Sequence, residues 1–357
     1  MLSNLPEEAL KINYTVDAMG KMLSGDKGRE VSDEYYNSYG YVLTLNKNIQ
    51  NITYNACKNM KSGCAVVMDV KTASILALVT KPDNSYINKP FQLYSAGSIF
   101  KIVVALCALE NNIDISYKCS GRIRVGDTVF SCQNEHVHLK QNLKEALANS
   151  CNCYFVNLAL NLGKVKLTDT ARELGLNDNT DLFDNIIINN AKLPDSEDLS
   201  SKGELALLGF GQGKLQITPL HFCNIMCTVA NNGNQNNTRL IKYAIDKENT
   251  VSEIYYSNNR ARIKPVCCNK LCDYLRYTVS DGTAKNADFN NQCAGKTATA
   301  QTGQYKSGCE MYNTWFAGFY PYNEPEYAIV IMFENGISGS IDCCPVFRTI
   351  VENLERL

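Results

Sequence analysis

The chain has 357 residues, with 35 basic and 36 acidic side chains and a net charge of −1. That balance leaves no positive face for nucleic acid, and the longest apolar runs, such as "IVVALCAL" and "YAIVIMF", fall short of the ~20 residues that a membrane-spanning helix needs. The length suits one large domain with a smaller appendage.

Residues 1–40 are polar and show little periodicity, so they read as an appendage, or the remnant of a larger N-terminal region, ahead of a main domain over 41–357. Their start lacks the apolar run of a signal peptide, so a targeting segment or membrane anchor, if used, lies outside this chain. "YVLTLN" from Tyr41 suggests a strand, and the next stretch has helical spacing at Ile49, Ile52 and Ala56. "GCAVVMDV" and "SILALVT" read as a hairpin. Helices are expected over 98–111, 140–149, 152–162, 166–174 and 218–232, the last with Thr218 as cap and Pro219 at its first position. Three β-rich runs follow, "QCAGKTATAQT", "TWFAGFYPY" and "EYAIVIMFEN", then a helix from Pro345 onward. Strands at both ends with helices between imply an α+β fold whose sheet joins distant parts of the chain.

Sixteen cysteines are many for a chain too long to be a small disulfide scaffold. Cys64, Cys107 and Cys227 sit in apolar runs as small hydrophobes. The neighbours Cys267/Cys268 and Cys343/Cys344 do not suit structural disulfides, and so many thiols fit a reducing or anaerobic setting.

In "YSAGSIFKIVVALCALE", Ser98 and Lys101 lie three residues apart at the mouth of an apolar helix. Residues so spaced share a helix face, so the hydroxyl and the amine can meet. Burial disfavours a charged lysine, so Lys101 can act as a base that activates Ser98, while the helix N-terminus favours developing negative charge. The alternative is a capping serine with a lysine that snorkels to water. Two further signals accompany it, Ser150 and Asn152 in "NSCNCYF", and Lys296 and Thr297 in "AGKTATAQTG". Each pattern also has a decoy: Ser24–Lys27, Ser257–Asn259 and Lys71–Ser74.

In their contexts these three stretches, with "LGFGQGKLQITPL" and "GTA" before the lysine strand, resemble the transpeptidase domain of class B, monofunctional penicillin-binding proteins. The resemblance implies the penicillin-binding/serine β-lactamase-like fold: a central antiparallel sheet of about five strands flanked by helices, plus a mainly helical subdomain. It implies a peptidoglycan D,D-transpeptidase that needs no cofactor, takes stem peptides as substrates and is acylated by β-lactam antibiotics. Ser98 would be the nucleophile and Lys101 its base; Ser150 would relay the proton to the leaving amine, and Asn152 would hydrogen-bond the substrate amide and Lys101. Lys296 would supply positive potential, Thr297 and Thr299 would hold the substrate carboxylate, and the backbone N–H groups of Ser98 and Thr299 would form the oxyanion hole. The family's glycine after Lys-Thr is Ala298 here, whose methyl is expected to crowd some lactams. The resemblance further implies work at the extracytoplasmic face of the cell membrane, beside a membrane-embedded glycan polymerase, with residues 1–40 as the stub of a non-catalytic pedestal. Other readings of the same motifs are a serine β-lactamase, a carboxypeptidase, a β-lactam-binding sensor or a cell-wall scaffold.

Between the first two motifs, "CSGRIRVGDTVFSCQNEHVHLK" holds Cys119, Cys132, His136 and His138, with Cys151 and Cys153 shortly after. Thiols and imidazoles at these spacings suggest a structural zinc site; incidental cysteines in a loop are the plainer reading. His221 is expected to be a packed helix residue.

Overall fold

A computed structural model describes residues 40–183, 186–246, 250–254, 259–261, 263–306 and 308–357. All but Gly40 of the expected appendage lies outside these residues, as do Ser24, Lys27 and Ser257 of the decoys.

The centre is a five-stranded antiparallel sheet made of β1 (Gly63–Asp69), β2 (Ile75–Lys81), β3 (Ala294–Lys306), β4 (Cys309–Tyr320) and β5 (Tyr327–Glu334), in the order β3-β4-β5-β1-β2. The early hairpin thus docks beside the last strand, Ile331 opposite Ala65, and β3 is left as an edge. Alternation along β1 sends side chains to two cores. Cys64, Val66 and Met68 join the larger one, whereas Ala65 and Val67 join a second that includes Ile49, Phe316, Phe347 and Ile350. Helices α1 (Lys47–Ala56) and α9 (Gly339–Leu354) supply the second core. On the larger core lie α2 (Lys101–Glu110), α3 (Leu143–Ala148), α4 (Asn152–Leu162), α5 (Lys164–Glu173), α6 (Lys202–Gly209), α7 (Pro219–Ala230) and α8 (Pro265–Ser280). α2 is buried on every side from Lys101 to Ala108, so its apolar run needs no amphipathic pattern.

Several elements differ from expectation. α3 starts at Leu143 because residues 139–141 form a strand against Tyr117–Cys119, and Asn142 with Glu145 forms a capping box. α9 begins before Pro345, at Gly339, because the Ser338 side chain caps it and Asp342 accepts from the Ile337 and Ser338 amides; Pro345 sits within the helix. α6 and α8 were not foreseen, although Ser201 with Glu204 and Pro265 at a first position are start signals. All sixteen cysteines are free thiols, and Cys64, Cys107 and Cys227 are buried as expected.

Candidate active site

Ser98 does not open a regular α-helix. Gly97–Phe100 forms a 3₁₀ turn, and α2 proper begins at Lys101. Gly97 adopts φ +56°, a conformation that glycine takes without penalty, and its N–H donates to Gly211 O at 2.8 Å. A Cβ on Gly211 would lie 2.0 Å from Gly97 O, and one on Gly97 would lie 2.8 Å from Ala300 Cβ. The glycine loop after α6 and the edge strand β3 therefore clamp the nucleophile turn from two sides.

Lys101 is fully buried. Its Nζ donates to Ser150 O at 2.7 Å, to Asn152 Oδ1 at 2.7 Å and to Ser150 Oγ at 3.3 Å. Ser98 and Lys101 stand one turn apart as expected, but the amine makes its contacts with the 150–152 segment. The Ser98 hydroxyl has no hydrogen-bond partner among the described residues. Burial pulls the Lys101 amine down to about 8, while Cys151, Cys132 and Cys153, if ionised, would push it back up. Ser150 adopts φ +53°, strained for a residue with a side chain, and this aims both its carbonyl and its hydroxyl at Lys101. Asn152 starts α4, and its Nδ2 donates to Ser131 O at 3.0 Å.

Lys296 is also fully buried, and its Nζ donates to Thr297 O at 2.8 Å. Burial and then the Lys101 charge lower its pKa well below the ordinary lysine value. The Thr297 hydroxyl shares a 2.9 Å hydrogen bond with that of Thr283, and the Thr283 N–H donates to Ala148 O at 3.0 Å. Thr283 had no role assigned from the sequence, and its place in "GTA" before the lysine strand was the available signal. Thr299 is half-buried on β3. Ala298 is 4% exposed and its side chain belongs to the larger core. His221 is buried in α7 with Nε2 donating to Leu174 O at 2.8 Å, and burial pulls it down to about 4, so it is neutral.

The cysteine cluster lies directly behind this site. Ligand atoms of Cys119, Cys132, His138 and Cys151 all fall within 4.8 Å of one another. His136 was expected among them but is exposed, its ring edge-on to His138 at 4.7 Å, and Cys151 takes the fourth place. Cys132 Sγ lies 3.7 Å from both Cys119 Sγ and Cys151 Sγ, and Cys119 Sγ lies 3.6 Å from His138 Nδ1. A tetrahedron of bonds of about 2.3 Å has edges of about 3.8 Å, so these spacings fit a Cys₃His zinc site. Amide N–H groups of Gly121 and Tyr154 donate to Cys119 and Cys151 at 3.3 and 3.4 Å, as second-layer support for thiolates. Cys153 Sγ stands 3.5 Å from Cys132 Sγ as a fourth thiol.

Residues 63–352 match the family described as penicillin binding protein transpeptidase domain. Among curated proteins the chain is similar to a peptidoglycan D,D-transpeptidase FtsI homolog of Mesostigma viride, 27% identical over 99% of this chain and 67% of that protein. It is also similar to penicillin-binding protein PbpB of Mycolicibacterium smegmatis, 28% identical over 81% of this chain and 49% of that one. The chain thus spans from about half to two thirds of such relatives. The same fold appears in the D,D-transpeptidase domain of a peptidoglycan glycosyltransferase from Eggerthella lenta, with a TM-score of 0.81 at 24% identity over 89% of this chain and 83% of that one. It also appears in penicillin-binding protein A of M. tuberculosis, solved as a ceftriaxone acyl-enzyme, with a TM-score of 0.81 at 21% identity over 88% and 80% of the two chains. This chain belongs to the penicillin-binding protein transpeptidase family.

Proposed function

We propose that this domain is a peptidoglycan D,D-transpeptidase that works through an acyl-enzyme on Ser98. The observation that carries the reading is the buried Lys101 amine, one turn from Ser98 and hydrogen-bonded to Ser150 and Asn152 from a distant segment. With a pKa of about 8, roughly a tenth of Lys101 is neutral at pH 7 and able to take the Ser98 proton. Ser98 Oγ attacks the carbonyl of the penultimate D-alanine. Ser150 passes the proton on to the leaving amine, and terminal D-alanine departs. An amine of a second stem peptide then displaces Ser98 and forms the cross-link. Asn152 holds the donor amide, and Thr297 and Thr299, with Lys296 supplying positive potential, hold the terminal carboxylate. The backbone N–H groups of Ser98 and Thr299 stabilise the oxyanion, where loss of one donor costs ~10²–10³ in rate. Release of D-alanine from a stem-peptide donor tests this. Wild type should release it and Ser98→Ala should not; release by the variant would reject Ser98 as nucleophile.

The cysteine cluster is read as a structural zinc site formed by Cys119, Cys132, His138 and Cys151. It would hold the loop whose Ser131 carbonyl receives the Asn152 amide. On the same reading the domain would work at the extracytoplasmic face of the cell membrane, with a glycan polymerase as partner. No helix among the described residues is long and apolar enough to cross a membrane.

A further inference from the structure

Where α7 meets the turn after α5 lies a cavity of about 450 Å³, within the ~300–1,000 Å³ of small-molecule sites. Asp178, Asp181, His221 and Asn224 line it together with amides and hydroxyls; among the described residues no lysine, arginine or apolar side chain does. Ser98, Lys101, Ser150, Asn152 and Lys296 are not part of its wall. His221 and Asn224 stand three residues apart on one face of α7, and are only 4% and 3% exposed. His221 Nε2 donates to Leu174 O and the ring is neutral, so Nδ1 is a lone pair, and no donor meets it among the described residues. Asn224 Nδ2 uses both its hydrogens, on Asn236 O at 2.8 Å and Thr238 Oγ1 at 3.1 Å. Its side-chain oxygen makes no hydrogen bond among the described residues, so a second buried acceptor lies beside the first. Asp181 is exposed, with no hydrogen bond or ion pair among the described residues, and the Asp178 charge acts on the His221 ring.

These groups define what a ligand must bring. Buried acceptors without donors are costly, so it must carry N–H or O–H groups. Two carboxylates with no cationic side chain beside them in the wall disfavour an anion and leave negative charge to be matched. Ligand sites are usually mainly apolar, whereas this wall offers an apolar body nothing to pack on. Calcium takes six to eight oxygens at about 2.3–2.6 Å and has no use for an imidazole nitrogen. A polyol brings donors but no charge. An alkyl diamine brings both, with three N–H donors and a positive charge at each end. We propose that this cavity binds a small organic cation of the diamine class, its N–H groups on His221 and Asn224 and its charge matched by Asp178 and Asp181. The site stands apart from acyl transfer, so its occupancy does not depend on the reaction proposed above.

Isothermal titration of the intact chain with putrescine (1,4-diaminobutane) tests this, against 1,4-butanediol, which has the same carbon chain and hydroxyl donors but no charge. Putrescine should bind saturably at about one site per chain, and butanediol at least about tenfold more weakly, as loss of charge-assisted contacts implies. Asp181→Asn, at an exposed position with no contact to lose, should weaken putrescine about tenfold. Asp127→Asn, at an exposed carboxylate outside the cavity wall, should leave it unchanged. Equal losses in the two variants would mark diffuse attraction and overturn the site. So would butanediol binding as tightly as putrescine, or no saturable heat from putrescine at all. Displacement of putrescine by calcium at a lower concentration would make this a metal site and overturn the assignment as well. Affinity should stay within about twofold after saturation with benzylpenicillin; loss of binding there would place the amine in the active site and not in this cavity.

Discussion

Lys101 Nζ has three acceptors, all of them in the 150–152 segment. An ammonium so engaged is held in place but cannot take a proton, so the base is the neutral amine. Burial sets that switch at about 8. The sign follows: below that pH the charged form dominates and acylation slows, above it the neutral form dominates and the rate levels. The carboxylate of a penicillin is ionised throughout this range and adds no titration of its own. The rate of Ser98 acylation by a penicillin should therefore rise about tenfold per pH unit below about 8 and then flatten. Labelling time courses across pH 6 to 9.5 check this, and a flat profile would remove Lys101 as the base. The motif residues were legible because their types carry chemistry; what they touch was legible only in part. The contact between Asn152 and Lys101 was implied by the resemblance and is present at 2.7 Å, whereas hydrophobic periodicity gave no sign of the Ser150 contacts or of the Ala298 methyl facing the core.

Among the elements, the nucleophile turn depends on a loop more than 100 residues away, through Gly97 and Gly211. Gly211→Ala would force a Cβ against Gly97 O in a backbone already at φ +76°. It should cost more than about 2 kcal/mol in stability and most of the acylation rate. Thermal melting and penicillin labelling report the two effects, and unchanged values would show that the clamp is not needed. The cysteine cluster ties the loop of residues 119–138 to the start of α4, with Cys132 at its centre. Purified protein should carry about one zinc per chain, and Cys132→Ser should bring this near zero and slow acylation by loosening Asn152. Elemental analysis decides: no zinc in wild type, or equal zinc in the variant, contradicts the assignment. The sequence pointed to this region, but not to the choice of Cys151 over His136. That choice depends on which side chains the fold buries, and spacing along a loop does not encode burial. α8 went unread for a related reason: its buried face is made largely of Cys267, Cys268, Leu271 and Leu275, and the cysteines blur the apolar rhythm.

Across the whole molecule, the sheet is what makes one site from distant pieces. β1 and β2 come from the first quarter of the chain and pair with β5 near its end, while β3 is left as an edge facing the nucleophile turn. Strands at both sequence ends made this α+β arrangement legible, because an early hairpin needs partners that only the late strands supply. The central claim is that Ser98, the 150–152 segment and β3 act as one acyl-transfer centre. Peptide-mapped mass spectrometry after exposure to benzylpenicillin tests it most directly. The account predicts a single covalent adduct on the peptide containing Ser98, absent in Ser98→Ala and formed far more slowly in Lys101→Ala. An adduct on any other residue, or one that persists in Ser98→Ala, would contradict it.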